Sequence, residues 1–255
     1  MLPIRVISFD FTNTLSRFAS HPSRIYETVL RERLGAPTLT LSREAFSDAL
    51  KRQQPSNFDA VYWDGVVARC VELAANVDAQ ARAAWPQQRT AIVNELMRRF
   101  EDGKHAYEVV PGTVEALERL AREQPHVRLA VLSNNDSRLH SVLESLQLLT
   151  YFGDNVVVSS STNGLQKPDP RIFHHLLHAV ANLSPADAPQ LMHVGDDLQN
   201  DVCGAVRAGA LAVHFDPKAA PQSMADRVQQ LRQRRFTTIT TLTEVPDLTQ
   251  ALNRT

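Results

Sequence analysis

Residues 6–15 read VISFDFTNTL. An apolar, partly β-branched run meets a carboxylate at Asp10, and Thr12-Asn13-Thr14 then end the pattern. The run predicts a strand over residues 4–11 (IRVISFDF) with both faces buried, as in a parallel sheet. An acid at the end of such a strand sits where open α/β sheets bind their ligands. What that acid does depends on what the rest of the chain places beside it.

Similar apolar runs recur at 127–133 (VRLAVLS), 155–160 (NVVVSS), 191–195 (LMHVG) and 211–215 (LAVHF). Helical patterns fall between them at 113–124, 137–147, 170–181 and 199–208. Asp136 and Pro170 are suitable helix starts, and Gly209 a suitable stop. Strands alternating with helices predict an α/β fold with a Rossmann-like, doubly wound parallel sheet. The tail adds a helix at 223–234, a β-rich stretch at 236–240 and a last helix near 242–252. Residues 16–108 break this rhythm. They carry amphipathic patterns at 24–34, 42–53, 60–75 and 87–101, punctuated by Pro55, Pro86 and Gly103. The expected division is a core of residues 1–15 and 109–255 with a helical insertion at 16–108.

A chain of 255 residues is long enough for one large domain or a core plus an insertion. Its formal net charge of −1 gives no electrostatic case for nucleic acid or an anionic membrane as partner. The basic run Arg232-Gln233-Arg234-Arg235 reads as the solvated end of a helix. Two distant cysteines, Cys70 and Cys203, have no metal spacing and suit a reduced compartment. With no membrane-length apolar run and no basic-then-apolar N-terminus, the expected location is the cytoplasm.

The predicted strand ends present Asp10, Ser133-Asn134, Lys167 just past the third core strand, and Asp196-Asp197. Two carboxylates, a hydroxyl and an amine meeting there would suit a divalent cation with hard oxygen ligands and a phosphoryl group. The four pieces DFTNTL, VLSNND, KPDPRIF and HVGDDLQND resemble, in order and spacing, the four motifs of the haloacid dehalogenase superfamily. The resemblance covers residues 1–15 and 109–215, and the insertion at 16–108 stands where that superfamily's type 1 cap is placed.

The resemblance implies a role for each matching residue. Asp10 is the nucleophile that becomes an aspartyl-phosphate, which divides one hard displacement into two. Ser133 hydrogen-bonds the transferring phosphoryl group, and Lys167 neutralises charge on nucleophile and phosphate. Apart from the resemblance, Asn134 and Asn135 follow Ser133 and could contact phosphate through backbone amides or side chain. Mg²⁺ is the expected cofactor, held by Asp10, the Thr12 carbonyl and Asp196. Asp201, and in the same way Asp197, would join that set through a water or an outer hydrogen bond. The implied substrate is a small phosphorylated metabolite.

Thr12 departs from the pattern, because superfamily phosphatases commonly carry there a second aspartate that protonates the leaving oxygen. A threonine hydroxyl cannot do this near neutral pH, and loss of a positioned acid typically costs on the order of 10²–10⁴ in rate. The chain would then be a phosphatase for good leaving groups, one that borrows its acid, or a catalytically weak phosphoryl-binding protein. A phosphonatase using Lys51 or Lys104, or a dehalogenase, is the more distant alternative. His174, His175 and His178 are expected on an exposed helix face and His193 in the core. Trp63 and Trp85 are expected in the packing of the insertion, and Gly112 at a helix start.

Overall fold

The structure is a computed structural model, which describes residues 2–52, 60–159, 162 and 164–254. Among the described residues, eight strands follow in chain order: β1 (Val6–Phe9), β2 (Ser16–Phe18), β3 (Tyr107–Val109), β4 (Arg128–Ser133), β5 (Val156–Val158), β6 (Leu191–Gly195), β7 (Leu211–Phe215) and β8 (Phe236–Ile239). Six of them form one sheet in the order β5-β4-β1-β6-β7-β8, parallel at every pairing. The short β2 and β3 pair separately. The chain divides into two compact units, Met1–Arg17 with Val109–Thr255, and Phe18–Glu108.

The sheet is covered by helices whose apolar stripes follow the helical period. The helix Pro170–Ala181 is capped by Asp169, whose carboxylate accepts the Arg171 N–H, and it ends on left-handed Asn182. Its Ile172, Phe173, Leu176, Leu177 and Val180 pack with Val6, Ala130, Leu132 and Leu191 of the sheet. On the opposite face Phe9 meets Phe152 edge-on at 6.3 Å between ring centres. The helix Thr113–Glu123 starts after Gly112, which adopts φ +85°.

The second unit is built on its own core. Tyr26, Leu30 and Phe46 meet Val66, Val67, Ile92 and Leu96 there, with Trp63 and Trp85 packed at its edge. Cys70 is sealed into this core, and burial pushes its thiol pKa up to about 12.

Several elements differ from expectation. The helix predicted at 87–101 runs over Ala79–Glu101, capped by Asp78, and passes through Pro86. Proline removes one ladder donor, and burial of Ala81, Ile92, Val93 and Leu96 outweighs that loss. Pro55 lies outside the described residues. The segment predicted as one helix at 199–208 is a π-helical turn, Leu198–Cys203, followed by the helix Gly204–Arg207. Asp136 does not cap a helix directly. It accepts the Arg138 N–H and pairs with the Arg138 guanidinium, and the helix runs over Leu139–Ser145. His174 is partly buried rather than exposed, with Nε2 2.9 Å from the Ala208 carbonyl. No described helix is long and apolar enough to cross a membrane.

Candidate active site at the strand carboxyl ends

β1 lies between β4 and β6, so the winding of the sheet reverses on either side of it. At such a switch point the loops leaving adjacent strands diverge and open a crevice. Asp10 immediately follows β1, and its N–H donates to the Val194 carbonyl at 2.8 Å. Ser133 is the last residue of β4, and Asp196 follows β6 directly. These residues, with Thr12, Asn13, Asn134, Lys167, Asp197, Asn200 and Asp201, line one open cavity of about 210 Å³.

Lys167 is the centre of the arrangement. Its side chain is 3% exposed, and its Nζ donates to Asp10 Oδ1 and to Asp201 Oδ1, each at 2.6 Å. The loop that carries it is clamped by Asn134, whose Nδ2 donates to the Lys167 carbonyl at 2.9 Å and whose Oδ1 accepts the Lys167 N–H at 2.8 Å. The Asn134 side chain is therefore committed to the loop, and what it can offer a substrate is its backbone. The peptide bond between Lys167 and Pro168 is cis.

Asp201 projects from the π-helical turn and accepts three kinds of donor. Its Oδ1 takes the Lys167 ammonium and lies 3.1 Å from His193 Nε2, while its Oδ2 accepts the Asp197 N–H at 2.9 Å. Asp197 is engaged as a cap, accepting the N–H groups of Gln199 and Asn200. His193 is in the core, as expected, and it also contacts the site through Asp201.

Burial governs the titration of these groups. It raises the Asp10 pKa, with Lys167 working against the rise and the Asp201 charge adding to it. It raises Asp196 too, again with a contribution from Asp201. Burial also acts to raise Asp201, but the Lys167 charge and the His193 hydrogen bond outweigh it and hold this carboxyl well below the usual range. For Lys167 the two carboxylates overcome burial and raise the ammonium pKa, so it stays charged. Asp10, Asp196 and Asp201 each place an oxygen within 4.8 Å of the others. Hard oxygens at that spacing fit Mg²⁺, which needs only one or two carboxylates and keeps several waters.

Thr12 is half-buried and forms a bridge to Ser16. The next residue, Asn13, takes a left-handed φ of 63° and hydrogen-bonds Asp196. Asparagine is among the few side chains that accept this conformation readily. The sequence reading missed Asn13 and Asn200 as lining residues; the only signal for Asn13 was its place in the turn after a strand-end acid. Lys51 and Lys104 both belong to the Phe18–Glu108 unit, where Lys104 is exposed and Lys51 lines a separate polar groove.

Gly195 leaves the space that Asp201 occupies. A Cβ there would lie 2.2 Å from Asp201 Cγ, and that side chain is pinned by its donors. We expect Gly195→Ala to displace Asp201 and to cost about 1–3 kcal/mol. Thermal melts should then fall by about 3–10 °C. An unchanged melting temperature would mean that Asp201 moves aside freely.

Comparison with known proteins supports the same assignment. A family model for haloacid dehalogenase-like hydrolases matches residues 4–209. Haloacid dehalogenase-like hydrolase domain-containing protein 3 of Bos taurus is 32% identical over 238 residues, covering 89% of this chain and 87% of the bovine protein. Ribulose-1,5-bisphosphate 5-phosphatase of Halopiger xanaduensis is 34% identical over 143 residues, covering 55% of this chain and 56% of that protein. The crystal structure of a 2-haloacid dehalogenase from Pseudomonas syringae shares the fold with a TM-score of 0.65, 23% identity and coverage of 97% and 99%. The sheet order, the acids and lysine at its carboxyl ends and these matches agree: the chain belongs to the haloacid dehalogenase-like hydrolase family.

Proposed function

We propose that this hydrolase is a Mg²⁺-dependent phosphatase of the cytoplasm, acting on a small phosphorylated metabolite through Asp10. The observation that carries this reading is the buried Lys167 ammonium held 2.6 Å from both Asp10 and Asp201, beside Asp196. An Asp10 oxygen attacks phosphorus and the P–O bond to the leaving oxygen breaks; that oxygen departs as an anion and takes its proton from solvent. Water then attacks the same phosphorus, which releases inorganic phosphate and restores the carboxylate. Ser133 donates its hydroxyl to a phosphoryl oxygen, and Lys167 offsets the negative charge that gathers on nucleophile and phosphate. Mg²⁺, held by Asp10, the Thr12 carbonyl and Asp196, would supply further neutralisation of that charge. Asp201 has both oxygens occupied by Lys167, His193 and Asp197, so its part is to hold Lys167. The Phe18–Glu108 unit serves as the cap that selects the substrate. Both cysteines are free, in keeping with a reducing compartment.

Release of p-nitrophenol from p-nitrophenyl phosphate, with Mg²⁺ and with EDTA, tests this reading. Full turnover in EDTA contradicts the metal assignment. Thr12 favours a second reading, in which the chain binds phosphoryl compounds but turns them over weakly. We expect Thr12→Asp to raise hydrolysis of an alkyl phosphate, whose leaving oxygen needs a proton, by about 10²–10⁴-fold by supplying the missing acid. Rapid turnover by the parent chain with no gain from the substitution would show that another group already delivers the proton. Halide release from a 2-haloacid, in place of phosphate release, would favour the dehalogenase alternative.

A further inference from the structure

A column of residues runs up one face of the sheet to the site. Val6 is in register with Leu191 and Ser8 with His193, and directly above them stand Asp10 and Gly195. The lower pair belongs to an apolar cluster with Phe173, whose ring meets His193 edge-on at 5.2 Å. Ser8 and His193 are both wholly buried in this layer. Core packing alone does not call for a hydroxyl and an imidazole here; two apolar residues would fill it.

The polar pair is connected to the site by hydrogen bonds. Ser8 Oγ lies 2.8 Å from His193 Nδ1, and His193 Nε2 lies 3.1 Å from Asp201 Oδ1. The same Asp201 oxygen takes the Lys167 ammonium, which continues to Asp10. Asp201 is an ionised acceptor, so Nε2 carries a hydrogen toward it. Lys167 already supplies a full positive charge to that oxygen, which disfavours a second cation beside it in a dry layer. The ring is then neutral, Nδ1 has its lone pair free, and the Ser8 hydroxyl donates to it. Gly195 permits the approach, since any side chain there would occupy the space through which Asp201 descends.

We propose that Ser8 and His193 are positioning residues for this hydrolase. Ser8 fixes the imidazole tautomer, the imidazole N–H fixes Asp201, and Asp201 aims Lys167 at Asp10. The proposal rests on the reading of Asp10 and Lys167 as the reacting pair. Residues that orient the ligands of a metal typically contribute about 10–100-fold, and we expect residues that orient a reacting ammonium to act on the same scale.

The test uses the full chain and p-nitrophenyl phosphate with Mg²⁺, together with long-range ¹H–¹⁵N spectra of the histidine rings. Ser8→Ala and His193→Leu should lower kcat by about 10–100-fold with KM changed by about two-fold or less, because neither residue lines the cavity that receives the substrate. Ser8→Thr keeps the hydroxyl, and His193→Gln keeps an N–H near the Nε2 position; each should recover most of the loss. The spectra should show the His193 proton on Nε2 in the parent chain and shifted at least partly to Nδ1 in Ser8→Ala. A parent ring protonated on Nδ1, or a Ser8→Ala variant with parental kcat and tautomer, overturns the proposal. Turnover that survives Asp10→Asn overturns the reading of the site instead, and the ring spectra still decide the tautomer.

Discussion

Turnover of p-nitrophenyl phosphate by Asp10→Asn falls by about 10³-fold or more, while the melting temperature stays within about 4 °C of the parent chain. Asparagine matches the carboxylate in shape but cannot form the acyl phosphate, so the covalent route is closed at its first bond. The fold has little reason to suffer. Lys167 keeps its 2.6 Å bond to Asp201, and the amide oxygen still accepts at the position of Asp10 Oδ1. One buried charge disappears, and burial is the main influence on that group. Steady-state kinetics and thermal melts on the same preparation separate the two effects. Persistent turnover would show that the nucleophile lies elsewhere.

Lys167→Met has the opposite profile, with a large cost to stability as well as to activity. Removal of the ammonium leaves Asp10 and Asp201 buried, close together and without a counter-charge. Breaking a buried pair in this way costs about 3–5 kcal/mol, or roughly 10 °C in melting temperature for a chain of this size. The cost depends on pH, and its sign is fixed. In the parent chain Asp201 is depressed, so its contribution is present above the ordinary aspartate range and is lost as pH falls through its lower folded value. In the variant both carboxyls are raised by burial and mutual repulsion, and the folded form holds protons that the unfolded chain has released. Stability of the variant therefore declines as pH rises through those raised values. Melts in EDTA should show the deficit largest near pH 7 and smaller near pH 5. A deficit that is absent at pH 7, or equal at both, would mean that Lys167 does not neutralise these acids.

Much of this arrangement was readable in the sequence, because buried parallel strands write long apolar runs and their end residues stand out against them. LMHVG and LAVHF coincide with β6 and β7 residue for residue. Asp10, Ser133 and Asp196 were visible as polar breaks at the ends of such runs, and Lys167 by its place after the third. Less legible was whatever tertiary contact decides. Pro86 marks a boundary by local chemistry, yet the helix continues because its far end is anchored in a core. β2 and β3 have three residues each, too few for a period. His193 was readable as a buried residue in an apolar strand, but the carboxylate eight positions later that it meets becomes its neighbour only through the π-helical turn.

The position of β1 also governs how the chain can assemble. This strand precedes both of its neighbours in the sheet by a long stretch of chain, since they begin at Arg128 and Leu191. Pairings of such long sequence separation form slowly, because loop-closure entropy opposes them until both ends are present. Residues 18–108 can gather their own core in the meantime, whereas VISF must wait with both edges unpaired. Until both neighbours are present that short apolar segment keeps an unpaired edge, and truncation before residue 191 leaves it exposed on one side.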